Sequence, residues 1–216
     1  MSCCFDKMFY TKEVFMKVLI ATTNPGKISI YSTIFDKLGI EWCSLKDFDN
    51  LGEVEETGET PRENSIIKAV AYNKITHLPV IANDSGLIVK KFAPDDQPGV
   101  FVRRYEGAEL SDQQMIDIFS QKLCQVGGKS KSYFDVSLTI IDENGKLFNK
   151  SFKSKRLMVS SPSKVVVKGL PLRSLDYSKK YKKYMSEMTP EEANKCEGRC
   201  IKDQEKFIRK VFKRKK

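Results

Sequence analysis

The spacing of apolar residues predicts a strand, a turn and a helix near the start of the chain. Residues 17–22 (KVLIAT) form a short β-rich apolar run, and the turn-forming residues 24–26 (NPG) follow it. Beyond them, apolar residues recur at helical spacing over residues 30–38. This order is typical of a strand–loop–helix unit, and Gly39 is suited to end the helix.

The rest of the chain alternates between strand-like and helix-like spacing. Prolines, capping residues and turn signals mark the ends of the elements. We predict strands at 40–45, 80–82 and 87–89, an acidic loop at 47–59, helices at 61–75 and 111–125, a hairpin of strands 133–141 and 146–152, and a C-terminal helix with Thr189 as its cap and Glu192 as the capping-box partner. Strands that alternate with helices and then form a hairpin indicate an α/β fold with a mixed sheet.

The composition is that of a folded chain. Of 216 residues, 40% are hydrophobic and 31% are charged, which excludes disordered, collagen-like and coiled-coil proteins. The longest apolar runs fall far short of the roughly 20 residues that cross a bilayer, and residues 1–15 do not resemble a signal peptide. We therefore expect a cytoplasmic protein without a membrane partner: an extension at 1–15, one domain of two lobes at 16–203, and a basic helix end or tail at 204–216.

The net charge of +10 is concentrated in two segments of the chain. Residues 1–145 contain 16 Lys and Arg against 21 Asp and Glu, whereas residues 146–184 contain 12 against 1 and residues 202–216 contain 8 against 2. Such segments are either a solvated surface or an attraction for polyanions such as nucleotide phosphates, nucleic acid or acidic membrane. Charge alone favours the solvated surface.

The residue types present restrict the possible chemistry. His77 is the single histidine, in a polar stretch typical of a surface position, so Ser–His–Asp, Cys–His and histidine-ligated metal sites are not expected. Six irregularly spaced cysteines indicate neither a disulfide scaffold nor a zinc site. Carboxylates, lysines and a hard metal ion are the remaining means of catalysis.

Three segments carry residues suited to that chemistry. Residues 22–27 lie between a strand and a helix, where backbone N–H groups and a lysine attract an anion. In residues 55–64, paired carboxylates that suit Mg²⁺ precede a helix that carries Lys68. In residues 83–87, Asp84 can bind metal or activate water. Taken singly, each segment is equally explained as an ordinary turn or helix start.

Taken together, the segments resemble the inosine triphosphate pyrophosphatase family, the Ham1- and RdgB-like noncanonical purine NTP pyrophosphatases. The matching motifs are ATTNPGK (21–27), EETGETPRENSIIKA (55–69), ANDSGLIV (82–89) and PGVFVRRY (98–105), with a fainter SEMTPEE (186–192). The resemblance implies an elongated α/β fold of two lobes around a nucleotide cleft, usually in a homodimer. It also implies Mg²⁺-dependent cleavage of nucleoside triphosphates between the α and β phosphates.

The resemblance assigns expected roles to the residues that match the motifs. It implies that Asp84 accepts the proton of the attacking water, and that Glu55 or Glu56 holds Mg²⁺ together with Asp84. The residues implied to bind the substrate are Thr22, Thr23, Asn24, Pro25, Gly26, Lys27, Lys68, Ser85 and Arg199. The expected activity is hydrolysis of dITP, ITP and XTP to the monophosphate and pyrophosphate.

The chain departs from the family pattern mainly in the part that reads the base. Asn83 replaces one of two acids, and Ala193 replaces a lysine. Residues 170–174 (LPLRS) stand where the family has a Phe-Gly-Tyr-Asp-Pro segment that stacks on the purine. We therefore expect the phosphate and metal half of the site to be retained and the selection of the base to be altered.

Two other functions stay open at this point. A degenerate family member would bind nucleotide or RNA through its basic C-terminal half without catalysis. Tyr177, Tyr181 and Tyr184 in that half could stack on a base, but their spacing is more simply one face of a helix or loop. The other possibility is an enzyme of the same fold that acts on a different phosphate anhydride.

Overall fold

A five-stranded mixed sheet runs through the centre of the structure. The computed structural model describes residues 17–107, 109–196 and 198–212, so the extension predicted at 1–15 lies outside the described residues. The strands are β1 (Val18–Ile20), β2 (Trp42–Ser44), β3 (Val80–Val89), β4 (Lys129–Ile141) and β5 (Leu147–Val159), with a separate pair β6 (Tyr177–Ser178) and β7 (Lys183–Tyr184). The helices are α1 (Pro25–Leu38), α2 (Pro61–Thr76), α3 (Asp112–Gln125), α4 (Pro190–Cys196) and α5 (Gly198–Phe212).

The order of strands in the sheet is β2-β1-β3-β4-β5. β1 pairs in parallel with both β2 and β3, whereas β3, β4 and β5 form an antiparallel meander. Parallel pairs need long crossover connections, and the helices α1 and α2 supply them. The predicted α/β class with a mixed sheet is confirmed.

Helix α1 begins and ends where its sequence supplies caps. Asn24 Oδ1 accepts hydrogen bonds from the N–H groups of Gly26 at 2.9 Å and Lys27 at 3.2 Å. Pro25 occupies the first turn, where a missing N–H costs little. The helix ends at Gly39, which adopts the left-handed conformation with φ of 63°. The predicted strand–loop–helix unit is therefore confirmed.

One continuous strand, β3, replaces the two short strands predicted at 80–82 and 87–89, and that prediction was wrong. All ten residues of β3 pair with β4, including Asp84 opposite Ser137. Residues 83–86 (NDSG) favour a turn locally, but the long antiparallel partner satisfies their backbone groups. Asp84 therefore lies inside a strand. The hairpin strands are longer than predicted for the same reason, since β4 and β5 pair over 13 residues each.

Helices cover both faces of the sheet and divide the core. On one face, α1 and α5 pack against the strands through residues such as Phe35 and Ile208. On the opposite face, α2 packs through Tyr72. A third cluster joins α3 to the far ends of the long strands and includes Phe119 and Leu175. Burial of these apolar surfaces stabilises two lobes that share one sheet.

Helix α5 packs into the core along its length. Gln204, Ile208 and Val211 are buried, so the boundary predicted at residue 203 falls within a helix that continues to Phe212. The basic residues of this helix lie on its exposed side: Arg199, Lys202, Lys206, Arg209 and Lys210. The amphipathic pattern therefore joins residues 204–212 to the domain.

The shorter helix α4 begins at the capping box that the sequence predicted. Glu192 donates its N–H to Thr189 Oγ1 at 3.3 Å, and Thr189 donates its N–H to Glu192 Oε2 at 3.1 Å. Among the described helices, none combines the length and the apolar surface that a membrane span requires.

Candidate active site

A cleft of about 760 Å³ lies between the two lobes. Nine of the residues that the sequence analysis selected line it: Thr22, Thr23, Asn24, Lys27, Glu55, Glu56, Lys68, Asp84 and Ser85. They come from the β1–α1 loop, the first turn of α1, the acidic loop, α2 and β3. Because β1 and β3 are neighbours in the sheet, the loop that follows β1 lies beside the middle of β3.

Three other selected residues lie outside the lining of the cleft. Pro25 and Gly26 form the first turn of α1 beside it, where a Cβ on Gly26 would lie 2.6 Å from Leu170 Cδ1. Arg199 is exposed at the start of α5, next to Cys200, which lines the cleft. A role for Arg199 in substrate binding therefore stays a prediction.

Lys68 is a buried cation placed between two carboxylates. Its Nζ lies 3.1 Å from Glu56 Oε1 and 3.8 Å from Asp84 Oδ1. Glu55 also lines the cleft, but its side chain is exposed. Of the two glutamates that the sequence left open, Glu56 is the one that contacts Lys68.

Lys27 extends from α1 towards the same group of charges. Burial of the ammonium group, together with repulsion from Lys68, lowers the pKa of Lys27 to about 8. The carboxylates of Asp84 and Glu56 oppose this shift. Because a nearby anion favours the charged form of a lysine, a bound polyphosphate would restore the proton.

The carboxyl group of Asp84 is buried beside these lysines, with 7% of the residue exposed. Burial raises the pKa of Asp84 above its ordinary value, while the charges of Lys27 and Lys68 oppose the rise. The Nδ2 group of Asn64 donates a hydrogen bond to Asp84 Oδ2 at 3.2 Å. A carboxylate whose pKa is raised is a stronger base than an ordinary one, so it is better suited to accept a proton from water.

Asn64 is a residue of this site that the sequence analysis did not select. It is buried, with 2% exposed, and its Oδ1 accepts the N–H of Gly58 at 2.8 Å. The available signal was its four-residue spacing from Lys68, because side chains at that spacing share one face of a helix.

The far end of the cleft is lined by an ion pair. Arg156 Nε lies 2.8 Å from Asp176 Oδ2, and the two side chains are 10% and 8% exposed. Tyr177 packs edge-on against Tyr184 with 5.3 Å between ring centroids, and neither ring is among the described residues that line the cleft. This placement favours a structural role for these two tyrosines.

The donor atoms near Lys68 suit a metal ion that arrives with its substrate. Among the described residues, no group of three or more His, Cys, Asp or Glu side chains is arranged to hold a metal ion. Mg²⁺ in nucleotide-binding enzymes usually takes one or two carboxylates and completes its coordination with phosphate oxygens and water. Glu56 and Asp84 are two such carboxylates, so the residues present fit that arrangement.

Most of the chain matches a known protein family. A sequence model of the Ham1 family matches residues 18–201. The chain belongs to the Ham1 family. A relative from Bacillus cereus, a dITP/XTP pyrophosphatase, is 33% identical over 210 residues, which cover 93% of this chain and 98% of that protein. The resemblance to this family is therefore confirmed over residues 18–201.

Solved structures of Ham1 proteins have the same fold as this chain. The Ham1 protein of Staphylococcus aureus superposes with a TM-score of 0.72 at 25% identity, covering 90% of this chain and 99% of that one. A HAM1 protein from Coxiella burnetii superposes with a TM-score of 0.74 at 24% identity and the same coverage. These neighbours confirm the predicted α/β architecture.

Proposed function

We propose that this Ham1 protein is a Mg²⁺-dependent nucleoside triphosphate pyrophosphatase that hydrolyses noncanonical purine nucleotides such as dITP, ITP and XTP. The observation that carries the proposal is the convergence of Lys27, Lys68, Glu56 and Asp84 in one cleft. The Bacillus cereus relative is named for the same activity. Two lysines can neutralise a triphosphate, and the buried carboxylate can accept a proton.

The lysines and the β1–α1 loop bind the triphosphate. Lys27 and Lys68 approach the carboxylates from two different helices, so a polyphosphate that lies between them contacts both cations. The hydroxyl groups of Thr22 and Thr23 line the same side of the cleft and can donate hydrogen bonds to phosphate oxygens. The charge of Lys27 is fully established once the triphosphate is bound, because the anion raises its pKa.

Hydrolysis breaks the bond between the α phosphorus and the oxygen that bridges to the β phosphorus. The oxygen of water bonds to the α phosphorus, and its proton passes to the carboxylate of Asp84. The bridging oxygen leaves with the pyrophosphate, and the two lysines stabilise the negative charge that develops on it. Asp84 then loses its proton to solvent, which restores the starting state.

Glu56 and Asp84, with Glu55 beside them, would hold the Mg²⁺ ion. When bound, this ion supplies charge neutralisation for the phosphate oxygens. Lys68 contacts both carboxylates in the described structure, so it also keeps the two acids close together by offsetting their mutual repulsion.

Selection of the base would depend on polar groups at the far end of the cleft. Arg156, Asp176 and Arg173 line this end, together with the apolar side chains of Phe134 and Leu172. Guanidinium groups donate hydrogen bonds that match the keto oxygen and N7 of an oxopurine. Hypoxanthine, xanthine and guanine all present these two acceptors, whereas adenine has an amino group in place of the keto oxygen. This composition therefore supports selection of oxopurines over adenine.

The test is release of pyrophosphate by the purified protein with Mg²⁺, measured separately on dITP, XTP, dATP, dGTP and dUTP. Release from dITP and XTP that is lost in Asp84→Asn is the expected result. Equal release from all five nucleotides would mean that the base is not selected. If the product is orthophosphate, or if no product forms, the proposed pyrophosphatase activity is refuted.

Two expectations from the resemblance belong to the same proposal. A homodimer in the cytoplasm is expected from the family, and light scattering during size-exclusion chromatography would measure the mass directly. Nucleic-acid binding by the basic C-terminal half stays a prediction. Steeply salt-dependent RNA binding that disappears when the lysines at 179–183 are replaced would support it.

A further inference from the structure

Both ends of the Asn64 side-chain amide are occupied inside the protein. Its Oδ1 accepts the backbone N–H of Gly58 at 2.8 Å, and its Nδ2 donates to Asp84 Oδ2 at 3.2 Å. Gly58 belongs to the acidic loop that carries Glu56, whereas Asp84 belongs to β3. One buried amide therefore joins the acidic loop to the strand.

The partner at Gly58 decides which way the amide points. A backbone N–H must face an acceptor, so the oxygen of Asn64 faces Gly58 and its nitrogen faces Asp84. This orientation engages Oδ2 of Asp84. The other carboxylate oxygen, Oδ1, is the one that faces Lys68 at 3.8 Å. Asn64 therefore holds Oδ2 of the Asp84 carboxylate, while Oδ1 lies on the side of Lys68.

The turn that holds Asn64 in place is closely packed and hydrogen-bonded. A Cβ on Gly58 would lie 2.5 Å from Glu63 Cβ and 2.7 Å from Asn64 Oδ1, so glycine is required for the close approach. The carboxylate of Glu63 also accepts the N–H groups of Glu59 at 2.8 Å and Thr60 at 3.1 Å. The helix start therefore has little freedom to let the amide rotate away from Asp84.

We propose that Asn64 is a positioning residue, which orients the carboxylate of Asp84 so that Oδ1 accepts the proton from water. This inference rests on the pyrophosphatase function proposed above. Asn64 acts through Asp84 and does not itself touch the reacting atoms. It should therefore affect the turnover number kcat and leave the binding of the triphosphate, measured by KM, nearly unchanged.

The substitution Asn64→Asp separates the two hydrogen bonds of the side chain. The new carboxyl group still accepts the N–H of Gly58, but it faces the carboxyl group of Asp84 at the former hydrogen-bond distance of 3.2 Å. Two carboxyl groups that close share one proton, so Asp84 loses its neutral donor and is no longer a free base. Asn73→Asp is the matched control, because Asn73 lies on the same helix and donates from Nδ2 to Leu78 O at 2.7 Å, away from the cleft. We expect Asn64→Asp to lower kcat for dITP about 100-fold relative to the wild-type protein, as for a misplaced catalytic group, and to leave KM within about threefold. The control Asn73→Asp should leave both kcat and KM within about threefold of the wild-type values.

A second variant distinguishes positioning from a structural role. Asn64→Leu removes both hydrogen bonds, so the Gly58 amide should lose its protection from hydrogen exchange, whereas Asn64→Asp should keep it. If Asn64 positions Asp84, kcat falls to a similar extent in both variants, although only Asn64→Leu breaks the hydrogen bond to the Gly58 N–H. The inference is overturned if Asn64→Asp keeps the wild-type kcat. It is overturned equally if kcat falls only in Asn64→Leu. A wild-type protein that releases no pyrophosphate overturns the proposed function as well, so the two failures are distinguishable.

Discussion

Asn24 donates a hydrogen bond from Nδ2 to the carbonyl oxygen of Gly169 at 3.2 Å, across 145 residues of sequence. The oxygen of the same side chain caps α1. On its other side, the Gly169 N–H bonds to Asp112 Oδ2 at 3.0 Å, and Asp112 begins α3. Gly169 is therefore held between the β1–α1 loop and the first turn of α3.

Asn24→Asp should weaken triphosphate binding without weakening the fold. Asp caps a helix as well as Asn does, but it cannot donate to Gly169 and it places a negative charge beside the phosphates. We expect KM for dITP to rise about tenfold, equivalent to about 1.4 kcal/mol, with the urea midpoint nearly unchanged. Ser111→Asp, a cap substitution on α3, is the control and should leave KM unaltered. Equal KM values in the two variants would contradict the link through Gly169.

Triphosphate affinity should fall as the pH rises above about 8. The free protein carries a protonated Lys27 below its pKa of about 8 and a neutral one above it, so binding at higher pH must take up a proton. The affinity should then fall by up to about tenfold per pH unit. Calorimetric titration with an α,β-methylene analogue of dITP between pH 7 and 10 would measure the slope.

Lys27→Arg tests the origin of that slope, because a guanidinium group keeps its charge throughout this range. The variant should bind with an affinity that hardly changes between pH 8 and 10. A slope that persists in the arginine variant would assign the titration to another group.

Asn83→Asp should destabilise the protein although it restores an acid typical of the family. The Nδ2 of Asn83 faces two backbone carbonyl oxygens, Ser137 O at 3.4 Å and Asp84 O at 3.5 Å. A buried carboxylate cannot donate to either, so the free energy of unfolding should fall by about 1–3 kcal/mol. Urea denaturation measures the change, and an unaltered midpoint would show that the strand tolerates the charge.

Gly86→Ala should destabilise the strand that carries Asp84. A Cβ at this position would lie 2.8 Å from the carbonyl oxygen of Gly99, a backbone atom that cannot move alone. We expect a loss of about 1–3 kcal/mol of unfolding free energy. Gly198→Ala is the matched control, since a Cβ there meets no atom within 4 Å. A Gly86→Ala variant as stable as this control would refute the close approach.

Local sequence signals predicted the elements whose ends are built from neighbouring residues. The turn at residues 24–26, the left-handed Gly39 and the capping box of Thr189 with Glu192 each involve groups within four residues of one another along the chain. Signals of this kind do not depend on the rest of the fold. The motif segments likewise indicate Lys27, Lys68 and Asp84 from residue type and spacing alone.

The continuous strand β3 shows where local signals fail. Residues 83–86 have the composition of a turn, and only the ten-residue pairing with β4 keeps them extended. That pairing depends on residues about 50 positions away, beyond any local pattern. The same holds for the ion pair of Arg156 with Asp176 and for the contact of Asn64 with Asp84, whose partners are separated by 20 residues each.

The sequence by itself determined which chemical groups this protein has for its reaction: lysines and carboxylates in three of the four ordered motifs, and a single histidine in a polar stretch. Residue types and short spacings are enough for that, because they limit the chemistry directly. The tertiary structure decided how those groups are arranged. It placed Lys68 between Glu56 and Asp84, buried Asp84 within a strand, and engaged one of its oxygens with Asn64, because only folding brings distant segments within hydrogen-bond distance and removes water from between them.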